Sequence, residues 1–225
     1  APPARRPATP PIAGHHPPLR RLSPTPPPTA TTAFCVSESR GPHPRHLETK
    51  LEQVAGTWCI SGEKMWGTMA PPASVLYVAA SRGVVDGHNQ ITMVGVDPQQ
   101  DGITQIPLPP ERQAGAVPIC DLRFNQAQVL ENHLFDGDAY TRYIKPFRLI
   151  EDVYGTVAMQ IALLRLGEQT GLSHSQREDL IALIVQGYAI SESNMDAPAD
   201  VLLLTSYLRA SQNHWQSLAG NWHAT

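Results

Sequence analysis

The apolar residues of this chain change their spacing once, near residue 135, and that change most limits what the chain can fold into. Upstream, from Thr31 to about Val129, they come in short runs separated by turn residues. TTAFCVSE alternates loosely, and LETKLEQV and TWCIS flank Ala55-Gly56 as the two arms of a hairpin. SVLYVAAS is almost continuously apolar, the pattern of a strand buried on both faces. A loop is expected from Gly83 to Asn89, followed by strands in QITMVGVD, ITQIPLP and VPICDLRFNQAQV, with Pro107 and Pro118 confined to edges or bulges. From Asp138 on, Tyr140, Tyr143, Ile144, Phe147, Ile150, Tyr154, Val157, Ile161 and Leu164 follow the three/four spacing of one long helix ending near Gly167. Ser175 with Glu178 reads as the capping box of a second helix, in which Leu180, Ile184 and Tyr188 stack. A third begins near Asp196, with Pro198 in its first turn. Strands first and helices after predict an α+β fold: an antiparallel β-barrel or sandwich domain over 31–135, then a helical bundle lobe over 136–225.

Residues 1–30 stand apart, holding 11 of the 22 prolines. Such a stretch has too little apolar surface to offset the entropy of ordering, so it is expected to be disordered or polyproline-like. A flexible tail, a docking segment for a proline-reading partner and a product of out-of-frame translation all remain open for it. The formal net charge of −3 offers no basic field for nucleic acid or an anionic membrane. Cys35, Cys59 and Cys120 are widely spaced and form no CxxC pair, which fits a reducing compartment. No apolar run approaches the ~18 residues of a membrane span, and the N-terminus has no apolar signal core. A soluble, cytoplasmic protein is expected.

No GxGxxG, GxxxxGK[ST] or GxSxG motif occurs. His43 and His46 lie three apart around a proline, with no third ligand near in sequence, so no metal site is expected. The most suggestive stretch is SGEKMWGT, Ser61 to Thr68, which combines a glycine, an acid–base pair, a tryptophan and a hydroxyl. Residues two apart on a strand face the same way, so Trp66 and Thr68 would present a flat aromatic wall beside a hydroxyl. That arrangement suits a planar ligand; ordinary core packing of Trp66 is the alternative.

FCVSE, Phe34 to Glu38, followed some 25 residues later by ISGEKMWGT, resembles the middle domain of the acyl-CoA dehydrogenases. The likeness continues through SVLYVAAS, the DGIT turn, ICDLRF, and FRLIEDV with its Arg148, Glu151 and Asp152, covering about residues 33–165. It implies a flavoprotein that oxidises an acyl-CoA thioester to a 2,3-enoyl-CoA, with hydride passing to FAD. Phe34, Val36 and Ser37 would border the flavin ring, Trp66 would pack on its face, and Thr68 would hydrogen-bond near its hydride-accepting edge. Each has an ordinary structural alternative: barrel core for Phe34 and Val36, a turn cap for Ser37, plain packing for Trp66, a strand position for Thr68. The resemblance further implies an acyl-CoA substrate, an electron-transferring flavoprotein as partner, and a homodimer or homotetramer. Glu63 and Lys64 are expected to be structural, as an ion pair or a solvated turn, Arg148 to brace the barrel–helix interface, and Arg123 to be a surface or interface charge.

The family pattern also breaks. Removing the weakly acidic α-proton of a thioester needs a carboxylate base. The family's glutamate in the last helical region has no counterpart, and its other place, before Arg148, is Phe147. Glu151, one helical turn on, is the substitute candidate; an ion pair on the helix surface is the alternative. The family's N-terminal helical domain is expected to be missing, and the C-terminal helical domain to be shortened. A truncated or non-catalytic descendant acting as a binding or assembly module therefore stands beside the dehydrogenase, as does a flavin oxidase or monooxygenase on the same scaffold.

Overall fold

The computed structural model describes residues 30–40, 43, 46–109, 112, 117–193 and 197–222. The proline-rich stretch 1–29, the expected start of the third helix at Asp196 and the middle of the His43–His46 pair lie outside them. The chain divides into two compact units between Lys145 and Pro146.

The first unit is a seven-stranded sheet of β1 (Thr32–Cys35), β2 (Lys50–Val54), β3 (Thr57–Thr68), β4 (Val75–Val85), β5 (His88–Val96), β6 (Ile103–Pro107) and β7 (Ile119–Val129). It curls around a core that includes Leu51, Ile60, Leu76, Val94, Leu122 and Phe124. The sheet is mixed, which corrects the expectation of an antiparallel barrel or sandwich. Both β1 and β2 run parallel to β4, which they meet in succession: β1 along Val75–Val78, β2 at Ser81. The reason lies in the connections. The chain passes through the β2–β3 hairpin before β4 returns beside β1, and strands as short as β1 advertise no partner in their side-chain pattern. All remaining strand pairs are antiparallel.

Local signals account for much of the rest. Ala55 and Gly56 both take positive φ (50° and 83°), the two-residue turn whose twist suits a hairpin. The expected loop at 83–89 is instead another such hairpin, turning at Asp86 and Gly87 (φ 50° and 76°). β4 is buried on both faces as its apolar run predicts: Leu76 to Ala80 are all within 4% of full burial, with Tyr77 against the Phe135 ring at 5.3 Å. Pro107 ends β6, an edge strand, and Pro118 precedes β7, so neither interrupts a ladder.

Asp138 opens the helical stretch, its Oδ2 accepting from the Thr141 N–H at 2.8 Å and the Thr141 hydroxyl at 2.7 Å. The expected single helix starts with a wider π-helical turn over Tyr140–Ile144, continues as α1 (Lys145–Thr170), and closes at Gly171, which takes φ 88° and donates to the Gly167 carbonyl. The second unit packs α1, α2 (His174–Ser191) and α3 (Pro198–Trp222) around Ile150, Val153, Ile190, Leu204 and Tyr207. The cap of α2 is Ser173 with Gln176, each side chain bonded to the other's backbone N–H, and not Ser175 with Glu178. Its buried stripe runs through Leu180, Gly187 and Ile190, whereas Tyr188 is 64% exposed. Apolar residues surround α2 on all sides, so the sequence pattern singles out no one stripe.

Candidate functional site

Val36 to Glu38 leave the end of β1 and lie against β3. Three contacts tie the two segments: the Met65 N–H donates to the Ser37 carbonyl at 2.8 Å, and Lys64 Nζ donates to the Val36 carbonyl at 3.3 Å and to Glu38 Oε1 at 2.6 Å. Glu38 also accepts the N–H groups of Glu48 and Thr49 at 2.6 and 3.1 Å. The ion pair is almost wholly out of water, with Lys64 0% and Glu38 5% exposed along their side chains. Burial lowers the Lys64 ammonium from 10.5 to about 8 against the opposing pull of Glu38. Burial alone would raise the Glu38 carboxyl, but Lys64 and the N–H donors together outweigh it and hold the group below its ordinary value. This staple brings Ser37 alongside Met65-Trp66. Val36 is buried and serves through its carbonyl; Phe34, half-buried, lies opposite Tyr77 in the β1–β4 register.

The glycine of SGEKMWGT makes no chain-reversing turn: Gly62 lies within β3, at a register shift against β7. Gly62 (φ 145°) lets Thr49 cross close by; a Cβ there would stand 2.7 Å from the Thr49 Cα. Farther on, Lys64 pairs with Leu122 and Gly67 with Cys120, so Met65 and Trp66 together oppose the single residue Asp121. That is a β-bulge. It throws Trp66 into the left-handed region at φ 60°, rare for a bulky residue and worth about 1–3 kcal/mol of strain. The Trp66 N–H, turned off the ladder, donates to Asp121 Oδ1 at 2.9 Å. A hydrogen bond to a charged group contributes ~1.5–3 kcal/mol, enough to offset that strain. The bulge also interrupts the pleat that would set Trp66 and Thr68 on one face. What joins them is the Thr68 hydroxyl, donating to the Trp66 carbonyl at 3.4 Å.

The indole itself is 47% exposed, with the Arg112 guanidinium 4.3 Å over its ring and Arg112 paired to Asp121 Oδ2 at 3.8 Å. An aromatic wall open to solvent, held in a strained backbone and flanked by the half-buried Ser37 and Thr68, fits a planar ring with polar edges. Glu38, Arg112 and Asp121 were not singled out by sequence reasoning. Arg112 sits in the connection between β6 and β7, where spacing carries no signal. Asp121 looks like any outward strand position until the bulge is seen.

Glu151 belongs to the helical unit, on α1, while Phe34, Val36, Ser37, Trp66 and Thr68 all belong to the sheet unit. Burial, then the neighbouring Asp152, raise the Glu151 carboxyl, with Arg148 opposing. Burial likewise raises Asp152 against Arg148. Phe147, one turn earlier, is buried at 6% exposure. Arg123 is an exposed partner of Glu63 at 2.8 Å. The rings of His43 and His46 lie 5.3 Å apart, and among the described residues no group of three His, Cys, Asp or Glu could hold a metal. Among those residues no helix is long and apolar enough to cross a membrane.

No protein-family model and no curated protein matches the sequence. Solved structures do. The glutaryl-coenzyme A dehydrogenase–glutaryl-CoA complex matches with a TM-score of 0.61 and 16% identity, over 86% of this chain and 57% of that one. Butyryl-CoA dehydrogenase from Megasphaera elsdenii gives 0.65 and 15%, over 83% and 55%. The chain has the acyl-CoA dehydrogenase fold. A structure of the electron transferring flavoprotein of Acidaminococcus fermentans, concerned with flavin-based electron bifurcation, matches at 0.66 and 12%, over 83% and 55%. The chain thus spans little more than half the length of each of these three solved structures.

Proposed function

We propose that this chain is an acyl-CoA dehydrogenase-like flavoprotein that oxidises an acyl-CoA thioester to a 2,3-enoyl-CoA. The observation that carries the reading is Trp66: an exposed indole in a strained left-handed conformation, stapled next to Ser37 on an acyl-CoA dehydrogenase fold. Backbone strain of this kind persists where surrounding contacts over-determine it, and it clusters at ligand clamps. FAD, when bound, supplies the acceptor for the hydride equivalent that leaves the acyl β-carbon. Trp66 is the wall that holds the flavin ring and excludes water from one side of it. The hydroxyls of Ser37 and Thr68 would hydrogen-bond its polar edge, and Phe34 on β1 and Val36, just past the end of that strand, would border it. A carboxylate oxygen of Glu151 takes the α-proton, a role suited to a group whose affinity for protons burial has raised. The domain reading that goes with this is a flavin-binding sheet domain over 31–135 and a helical domain over 136–225. The acyl-CoA substrate, an electron-transferring flavoprotein partner, a homodimer or homotetramer and a cytoplasmic location belong to the same proposal.

Phe147 favours a second reading, a non-catalytic descendant that binds or assembles. Its buried ring stands where the resemblance implies a glutamate. The visible spectrum of the purified chain, followed by anaerobic addition of acyl-CoAs, separates the two. A flavin band that bleaches supports the dehydrogenase; one that persists across acyl-CoAs supports the descendant; no flavin band overturns the flavin reading of Trp66 and Thr68 and favours a truncated remnant.

A further inference from the structure

We infer that Asp121 and Arg112 are positioning residues that fix the Trp66 indole as one wall of a slot for a planar ring. The inference rests on the reading of Trp66 as a ligand-facing side chain. Its basis is a closed triangle within the sheet unit. Asp121 is the single β7 residue opposite the two-residue bulge. One of its carboxylate oxygens takes the Trp66 N–H at 2.9 Å, which fixes where the backbone puts the side chain. The other faces the Arg112 guanidinium at 3.8 Å, and that guanidinium lies 4.3 Å over the indole ring. One acid therefore sets both the backbone and the cover of one tryptophan. Arg112 and Asp121 have side chains only 35% and 19% exposed, so the triangle is partly withdrawn from solvent screening. With one indole face under the guanidinium, a planar ring can stack only on the other, which gives the slot a handedness.

Arginine is needed for this because its guanidinium is flat and stacks on an aromatic face, whereas a lysine ammonium is a hydrated point charge. Asp121→Asn keeps an acceptor for the Trp66 N–H but loses the charge that holds Arg112, so it separates the two arms of the triangle.

The test uses the full chain and acrylamide quenching of the Trp66 fluorescence, taken as the difference between each protein and its counterpart carrying Trp66→Phe. Arg112→Ala is expected to raise the Trp66 quenching constant about two- to five-fold, the population shift that an exposed cation–π contact supports. Arg112→Lys should recover little of the protection, and Asp121→Asn should behave like Arg112→Ala. The thermal midpoint of Arg112→Ala should stay near that of the parent, a result that a merely structural role would not give. If Asp121 variants fail to fold, Arg112→Ala decides alone. An unchanged Trp66 quenching constant in Arg112→Ala overturns the inference. A parent protein without a flavin band overturns the functional reading instead, and the quenching comparison still decides whether the triangle holds the indole.

Discussion

Among the described residues each unit has a deeply buried polar network, and these two are built differently. In the sheet unit it is ionic: Lys64 and Glu38, 2.6 Å apart and almost fully buried, join segments 26 residues apart in sequence. In the helical unit it is neutral. Gln160, fully buried on α1, donates to the Ser211 hydroxyl at 2.7 Å and accepts from the Tyr207 hydroxyl at 2.9 Å, both on α3. Burial raises the Tyr207 hydroxyl to about 12, with Ser211 and Gln160 opposing, so it stays protonated at ordinary pH. The ionic network sits where chain segments must cross at a fixed register, beside Trp66; the neutral one sits between helices whose packing already fixes them. A charged staple therefore imposes a register more strictly, because losing either half strands a charge in the interior. A neutral network can lose one member at the cost of a hydrogen bond.

Lys64→Met is the largest test of that contrast. It should cost about 3–5 kcal/mol by leaving Glu38 buried and unpaired. The double variant Glu38→Gln/Lys64→Met should recover part of the loss in urea denaturation, and additive losses would break the comparison. Next comes Tyr207→Phe, which leaves the Gln160 carbonyl oxygen without that donor and should cost ~1–3 kcal/mol in the same measurement. A loss equal to that of Lys64→Met would remove the distinction between the units.

The smallest effects are the pH dependences, which have opposite signs. The folded Glu38 carboxyl lies below its unfolded value, so its contribution is present above about 4.5 and lost as pH falls through the folded value. The folded Glu151 carboxyl lies above its unfolded value, so its contribution is present in acid and lost as pH rises from about 4.5 through the folded value. Hydrogen exchange at pH 4 and pH 7 reads both. Glu38→Gln should flatten the acid sensitivity of the sheet unit, and Glu151→Gln should slightly strengthen the helical unit at pH 7. A weaker helical unit in Glu151→Gln at pH 7 would break this opposition of signs.

Periodicity made the order of strands and helices legible, because period-two and period-3.6 burial leave different residues apolar. The doubly buried β4 and the Ala55-Gly56 turn could be read for the same reason. The parallel pairing of β1 and β2 with β4 could not, since it depends on where distant chain segments return. Neither could the fate of Lys64, a residue type almost never fully buried without a partner; its partner Glu38 lies 26 residues away. In the candidate site, aromatic and hydroxyl types marked Trp66 and Thr68, but two residues two apart share a face only where the strand is unbroken. The bulge opposite Asp121 set the actual geometry and brought in Arg112.

The tight turn between β2 and β3 has a practical side. Its first residue, Ala55, is an alanine at φ 50° where asparagine or glycine is the favoured choice. Ala55→Asn should regain up to about 1 kcal/mol of the penalty of left-handed backbone. Because it sits at the opposite end of β3 from Trp66, that substitution could serve as a stabilised parent for damaging variants of the Trp66 triangle and the Lys64 staple.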